Sequence, residues 1–221
     1  MATALLKLRL LAGANWRERL IAALGATLGI GLTGFVAALS VGSHAALLLA
    51  APIGASAVLV FAVPASPLAQ PWPVVGGCAI STLVGFGVAA LLGHGAIAAG
   101  LAVGLAIVLM SLLRCLHPPG GACALLAVLG SAVLDQGIGF ALVPMGLNAL
   151  LLVLAGVAFH RFSGHSYPHR PVPAPAHPRI QPEDIDAALA EAHESFDVSR
   201  EDLAALLEAA ERHAIARRGR R

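Results

Sequence analysis

The chain has 221 residues, 58% of them apolar and only 12% charged, a composition that belongs to an integral membrane protein and excludes an ordinary soluble core. It carries 14 basic and 12 acidic residues, yet between Leu20 and Phe159 only Arg114 and Asp135 are charged. The charges therefore crowd the two ends. The C-terminal part mixes both signs, which excludes a nucleic-acid-binding arm.

The basic stretch 1–19 runs directly into the apolar segment Leu20–Val41, with no polar cleavage region after it. It reads as a cytosolic N-terminus before a retained first span, not as a cleaved signal. Five more apolar segments follow: Ala45–Val63, Val74–Leu92, Ala96–Leu113, Pro118–Leu134 and Ile138–Phe159. A spanning helix needs about 20 apolar residues, so six transmembrane segments are expected over 20–160. Pro52 and Gly54 interrupt the second, and two prolines and two glycines open the fifth. Proline removes a backbone donor and clashes with the preceding turn, so both should be broken or start late within the membrane. The connections around His44, His94 and Asp135 contain no Lys or Arg. By the distribution of basic residues both termini are cytoplasmic, in a cell inner membrane.

Beyond Phe159 the character changes. Residues 161–181 form a Pro- and His-rich linker, and 182–215 read as a short helical tail. Pro182 opens its first helix, through Ile185, Leu189 and Phe196. Ser199 caps the second, in which Leu203, Leu206 and Leu207 make an apolar stripe. Such short helices need a surface to pack on.

An internal repeat links the halves. Pro52-Ile53-Gly54-Ala55-Ser56-Ala57-Val58-Leu59 matches Pro119-Gly120-Gly121-Ala122-Cys123-Ala124-Leu125-Leu126 at five of eight positions, offset by 67 residues. The offset lays segment three on segment six. Each unit has three spans, an odd number, so the copies are inverted. The fold class expected is an all-α membrane protein of two inverted three-span repeats with broken second and fifth helices. Inverted repeats with broken helices are a transporter pattern.

A helix that begins inside the membrane presents free N–H groups and a positive dipole end, which favours an anion. The expected substrate-binding residues are Pro52, Gly54, Ala55 and Ser56 from one copy. Pro119, Gly120, Gly121 and Ala122 come from the other. Arg114 supplies counter-charge, against the simpler reading that it snorkels to the interface. His117 donates to the anion or takes a proton. Ser81 and Asn148 could line the path. The competing reading of the small residues is tight helix crossing.

Cys78, Cys115 and Cys123 all lie in apolar segments, and three is an odd number, so no disulfide is expected. The spacing of Cys115, His117 and Cys123 is too weak to expect a metal. There is no phosphate loop, acyl-transfer triad or pair of catalytic carboxylates, so the protein does not read as an enzyme.

The motifs His117-Pro118-Pro119-Gly120-Gly121-Ala122, Pro52 to Leu59 and Ser66-Pro67-Leu68-Ala69-Gln70-Pro71 together resemble the HPP family of integral membrane proteins. The likeness runs from about Arg17 to Tyr167-Pro168. Plant and cyanobacterial members are associated with nitrite transport, which is what the resemblance implies here. Many bacterial relatives carry a pair of CBS modules, and Pro182–Ala214 is similar to the stretch leading into them. No such module is expected in this sequence, and no cofactor. The expectation is a transporter or channel for a small anion, nitrite first, with the lipid bilayer and a second copy of the chain as partners. The alternative is a non-transporting membrane scaffold or sensor whose cytosolic helices bind a partner.

Overall fold

The computed structural model describes residues 16–130, 137–170, 181–192 and 197–218, the side chains of 40–50, 182, 192 and 218 aside. The expected connection at Asp135 and the apolar contact at Phe196 lie outside the described residues. Every regular element among those described is helical.

Helical backbone covers Trp16–Ala62. At 1.5 Å per residue, a straight helix would hold Arg19 and Ala62 about 65 Å apart. Instead Arg19 Nη1 donates to the Ala62 carbonyl at 3.2 Å, and Gly25 and Gly29 lie against the Phe61 ring. The run is therefore two antiparallel arms, α1 (Trp16–Leu39) and α2 (Ala51–Ala62). The sequence reading expected a non-helical link at His44 and a helix start at Pro52. The chain does reverse between the two arms, so a connection near His44 is present, and only the expectation at Pro52 is corrected, because helical backbone passes through it. The fixed φ of proline is itself helical, so Pro52 costs one hydrogen bond without stopping the helix.

A 3₁₀ turn, Pro67–Ala69, leads into α3 (Pro71–Leu92). Then come α4 (Ala96–Leu112) and α5 (Pro119–Leu129). The sixth apolar segment opens with a 3₁₀ turn, Ile138–Ala141, and a π turn, Leu142–Gly146, before α6 (Leu147–Ser163). The apolar run alone predicts one uninterrupted helix here. In fact Val143 is extended, with φ −132° and ψ 113°, because proline at 144 disfavours the helical region for the residue before it.

The bundle's direction follows from a few contacts. At one end Trp72 Nε1 donates to the Leu113 carbonyl at 3.0 Å and His160 Nε2 to the Val60 carbonyl at 2.9 Å, beside the Arg19–Ala62 contact. At the other end His94 Nδ1 donates to the Val128 carbonyl at 2.8 Å. Consecutive apolar helices alternate in direction. Three segments, Trp16–Leu39, Pro71–Leu92 and Ile138–Ser163, are long and apolar enough to cross a membrane. The shorter α2, α4 and α5 span about 16 to 26 Å.

Packing is inside-out relative to a soluble bundle. Leu20, Leu24, Leu28, Leu32, Phe35 and Leu39 form an exposed stripe along α1, and Ile97, Leu101, Leu105 and Leu112 do so on α4. The buried face of α4 carries Ala98, Ala99, Ala102 and Ala106. Small residues let backbones approach, as where Gly85 of α3 sits on the Ala124 carbonyl of α5. So much exposed large apolar surface would aggregate in water, and it faces lipid.

The tail forms α7 (Pro182–Ala192) and α8 (Arg200–Arg218), tied by an Arg200–Asp186 ion pair. Ser199 caps α8 as expected, its hydroxyl accepting from the Asp202 N–H at 3.0 Å. The surface these helices use is the α2–α3 connection and the segment after α6. Ser66 Oγ donates to Asp197 Oδ1 at 2.7 Å, and His169 Nε2 lies 2.9 Å from Asp202. His169 in turn donates its N–H to Gln70 Oε1 at 2.9 Å.

Candidate functional site

After α4 the chain turns inward. Cys115 N–H donates to the Met110 carbonyl at 2.8 Å and Arg114 N–H to the Ser111 carbonyl at 3.2 Å, a pattern that closes a helix on a left-handed residue. That residue is Arg114, with φ +54°. Cys115 to His117 are then non-helical, and α5 begins at Pro119. The helix thus starts at the two prolines that open the fifth segment and runs unbroken to Leu129.

The segment delivers His117 into the bundle, where it is fully buried. Its Nδ1 lies 2.8 Å from the Leu68 carbonyl and its Nε2 lies 2.8 Å from Ser56 Oγ. A carbonyl only accepts, so Nδ1 carries a hydrogen. Ser56 Oγ is also 3.0 Å from the Pro52 carbonyl and 3.9 Å from Cys78 Sγ. Gly77 makes room, since a Cβ there would sit 2.6 Å from His117 Cβ and 2.9 Å from the Cys115 carbonyl. One imidazole thus joins α2, α3, the 3₁₀ turn and the start of α5.

The 67-residue offset reappears in these contacts. Ser56 meets Cys78 at 3.9 Å, and their counterparts Cys123 and Met145 meet at 3.7 Å. Ser81 and Asn148 are counterparts too. Ser81 Oγ donates to Met110 Sδ at 3.3 Å. Asn148 Nδ2 donates to the Pro144 carbonyl at 2.9 Å, while its Oδ1 is buried without a hydrogen-bond partner among the described residues.

The expected site residues divide. Pro52, Ser56, His117, Pro119 and Gly120 are buried, and Ser56, His117 and the Pro52 carbonyl are brought together. Gly54, Gly121 and Ala122 are half-buried, while Ala55 and Arg114 are exposed. Two backbone expectations change. The Gly120 and Gly121 amides donate to the His117 and Pro118 carbonyls at 2.8 and 3.1 Å, so neither is free in this conformation. Gly54 to Ser56 sit inside helical backbone and present no helix start. Gly120 also serves packing, because a Cβ there would lie 2.7 Å from Ser81 Oγ.

The Leu68 carbonyl and Cys78 were missed from sequence as site groups. Leu68 lies inside the Ser66–Pro71 motif, which was the available signal. Ser66 extends the contact outward, since its hydroxyl accepts from the Leu68 N–H at 3.1 Å while donating to Asp197 in the tail. His117 is thereby two residues of backbone away from the Ser66 contact with the docked tail.

Lipid-facing leucines around a bundle with a buried polar centre define a polytopic membrane protein. The model of the HPP transmembrane region matches residues 12–168, and the chain belongs to the HPP family. A transmembrane protein of Dictyostelium discoideum is 40% identical over 119 residues, covering 52% of this chain and 42% of that protein. A second transmembrane protein of that organism is 36% identical over 121 residues, covering 53% of this chain and 39% of the relative. The chain thus aligns with about two fifths of the length of these curated relatives. No solved structure matches it.

Proposed function

We propose that this HPP-family protein moves a small anion across a cell inner membrane, with nitrite the leading substrate. Its six apolar helices act as two inverted three-span halves with both termini cytoplasmic. The observation that carries this reading is the Ser56–His117 contact, at 2.8 Å, between residues of opposite halves at a point where the chain is non-helical inside the bundle. The paired contacts at the 67-residue offset and the alternating helix directions support the inverted arrangement.

In this reading the conformation is closed, with His117 fully enclosed, and transport opens one side at a time around it. To hold an anion, His117 or Ser56 gives up a partner that it has in this conformation, and the positive end of α5 adds to the attraction. Arg114, exposed at the end of α4, attracts anions to the mouth and does not bind them in the centre. The docked tail favours a second reading, a sensor in which α7 and α8 report on the membrane domain.

Uptake of nitrite into proteoliposomes separates the two. Transport predicts saturable uptake that empty liposomes lack. Absence of uptake for nitrite, nitrate, formate, chloride and bicarbonate alike would leave the sensor reading standing.

A further inference from the structure

Resting on that reading, we propose that the site takes up a proton together with the anion, and that His117 Nε2 is the atom that receives it. The argument is one of hydrogen counting. Ser56 has a single hydroxyl hydrogen and two acceptors in reach, the Pro52 carbonyl at 3.0 Å and His117 Nε2 at 2.8 Å. When the hydroxyl points at Nε2, the ring is neutral, with its one hydrogen on Nδ1 for the Leu68 carbonyl at 2.8 Å. When the hydroxyl turns to the Pro52 carbonyl, Ser56 Oγ becomes the acceptor and Nε2 must carry a hydrogen as well. The ring is then an imidazolium with both N–H groups bonded. The same heavy-atom positions serve both protonation states, and rotating one hydroxyl converts the partners of one into those of the other.

Charge decides which state is occupied. No Asp or Glu occurs between Arg19 and Leu134. Ser56 of α2, the Leu68 carbonyl of the 3₁₀ turn and Cys78 of α3 face the ring, with Cys123 of α5 behind Cys78. On the ring's own segment, Arg114 is exposed, and Cys115 is buried in the Met110 cluster. No carboxylate is there to balance an imidazolium, the Cys78 thiol is the one ionisable group facing it, and with that thiol intact a charged ring would be an unpaired buried charge, which is costly. A bound anion supplies the missing counter-charge, so proton and anion each raise the affinity for the other. The proton comes from solvent and ends on Nε2, no covalent bond forms with the anion, and the load carried is electrically neutral.

The test is calorimetric titration of the purified full chain with sodium nitrite at pH 7, in buffers of different ionisation enthalpy. The expected result is uptake of about one proton per nitrite bound. The apparent affinity should fall about tenfold per pH unit as the pH rises. His117→Gln should reduce the proton count to zero, and Cys78→Ala should retain it. If His117→Gln does not fold, ¹⁵N-histidine spectra of the wild type give the same answer, since nitrite should convert one neutral imidazole to the doubly protonated form. Nitrite binding with no proton uptake would overturn the proposal and leave anion binding intact. Loss of the proton count in Cys78→Ala would move the proton to the thiol and also overturn it. No nitrite binding at all would instead remove the anion reading on which it rests.

Discussion

The Ser56 hydroxyl and the His117 imidazole, 61 residues apart in sequence, meet at 2.8 Å in the interior of the bundle. Both are fully buried, so neither can exchange its partner for water. Removing the hydroxyl leaves Nε2 without a hydrogen-bond donor, and an unsatisfied buried polar atom costs about 1–3 kcal/mol. Ser56→Ala should therefore lower the unfolding free energy in detergent by about that amount. An unchanged unfolding midpoint would mean that the contact contributes nothing.

The glycines separate into two groups that one methyl group can distinguish. A Cβ at Gly54 meets nothing within 4 Å, and at Gly121 only Val103 Cγ1 at 3.8 Å. Alanine at either should leave stability unchanged or raise it by up to about 1 kcal/mol, since glycine is costly within a helix. At Gly77, Gly85 and Gly120 the same Cβ would stand 2.5–2.7 Å from neighbouring atoms, and alanine should cost about 1–3 kcal/mol. Thermal unfolding of the five variants checks the division. If Gly54→Ala or Gly121→Ala now weakens nitrite binding without loss of stability, the substrate itself comes close to that backbone.

Arg114 occupies a left-handed position, φ +54°, where glycine is normally preferred and a side chain costs on the order of 1 kcal/mol. Arg114→Gly should raise stability by about that much. If the guanidinium draws anions to the mouth, the same variant should slow uptake several-fold at low salt, and less so at high salt. Full uptake at low salt would reduce Arg114 to an interfacial anchor.

The docked tail gives a pH dependence with a definite sign. Burial opposes the charge of Asp202, but the Ser199 hydroxyl and His169 outweigh it and hold the carboxyl below the ordinary value of 3.8. A carboxylate with a lowered folded value contributes its stability above that ordinary value and loses it as the pH falls through the lowered one. Both partners are partly exposed, so the contribution is under about 1 kcal/mol. Hydrogen-exchange protection of α8 should be level at neutral pH and fall only below about pH 4. Asp202→Asn should show the weakened state already at pH 7. Equal protection in both proteins at pH 7 would mean that this pair does not hold the tail.

Much of this arrangement is legible in the sequence because apolar runs and their punctuation have direct physical meaning. The two ends of α3, the start of α4 after Gly95, the start of α5 at Pro119 and the Ser199 cap all follow from Pro, Gly or Ser at a boundary. The passage of helical backbone through Pro52 is not legible, because proline reads locally as a stop although its fixed φ is itself helical. The interruption at Val143 was available in the Val-Pro pair, yet an unbroken apolar run hides it. Periodicity cannot show that Ala55 points outward while Ser56 meets His117, nor that Arg114 is exposed at its helix end. The Ser66–Asp197 contact, between polar residues 131 positions apart, carries no sequence signal.

The central claim is that the Ser56–His117 pair lies where the anion binds. Its most direct test is the thermal stabilisation of the purified protein by nitrite, compared between wild type and Ser56→Ala. A ligand that binds only the folded state at a hundred times its Kd should stabilise the protein by about 2.7 kcal/mol. The account predicts a concentration-dependent rise in Tm for the wild type and a rise at least several degrees smaller for Ser56→Ala at the same nitrite concentration. An equal rise in both would place the anion elsewhere, and no rise in the wild type with nitrite or any other small anion would contradict the account altogether.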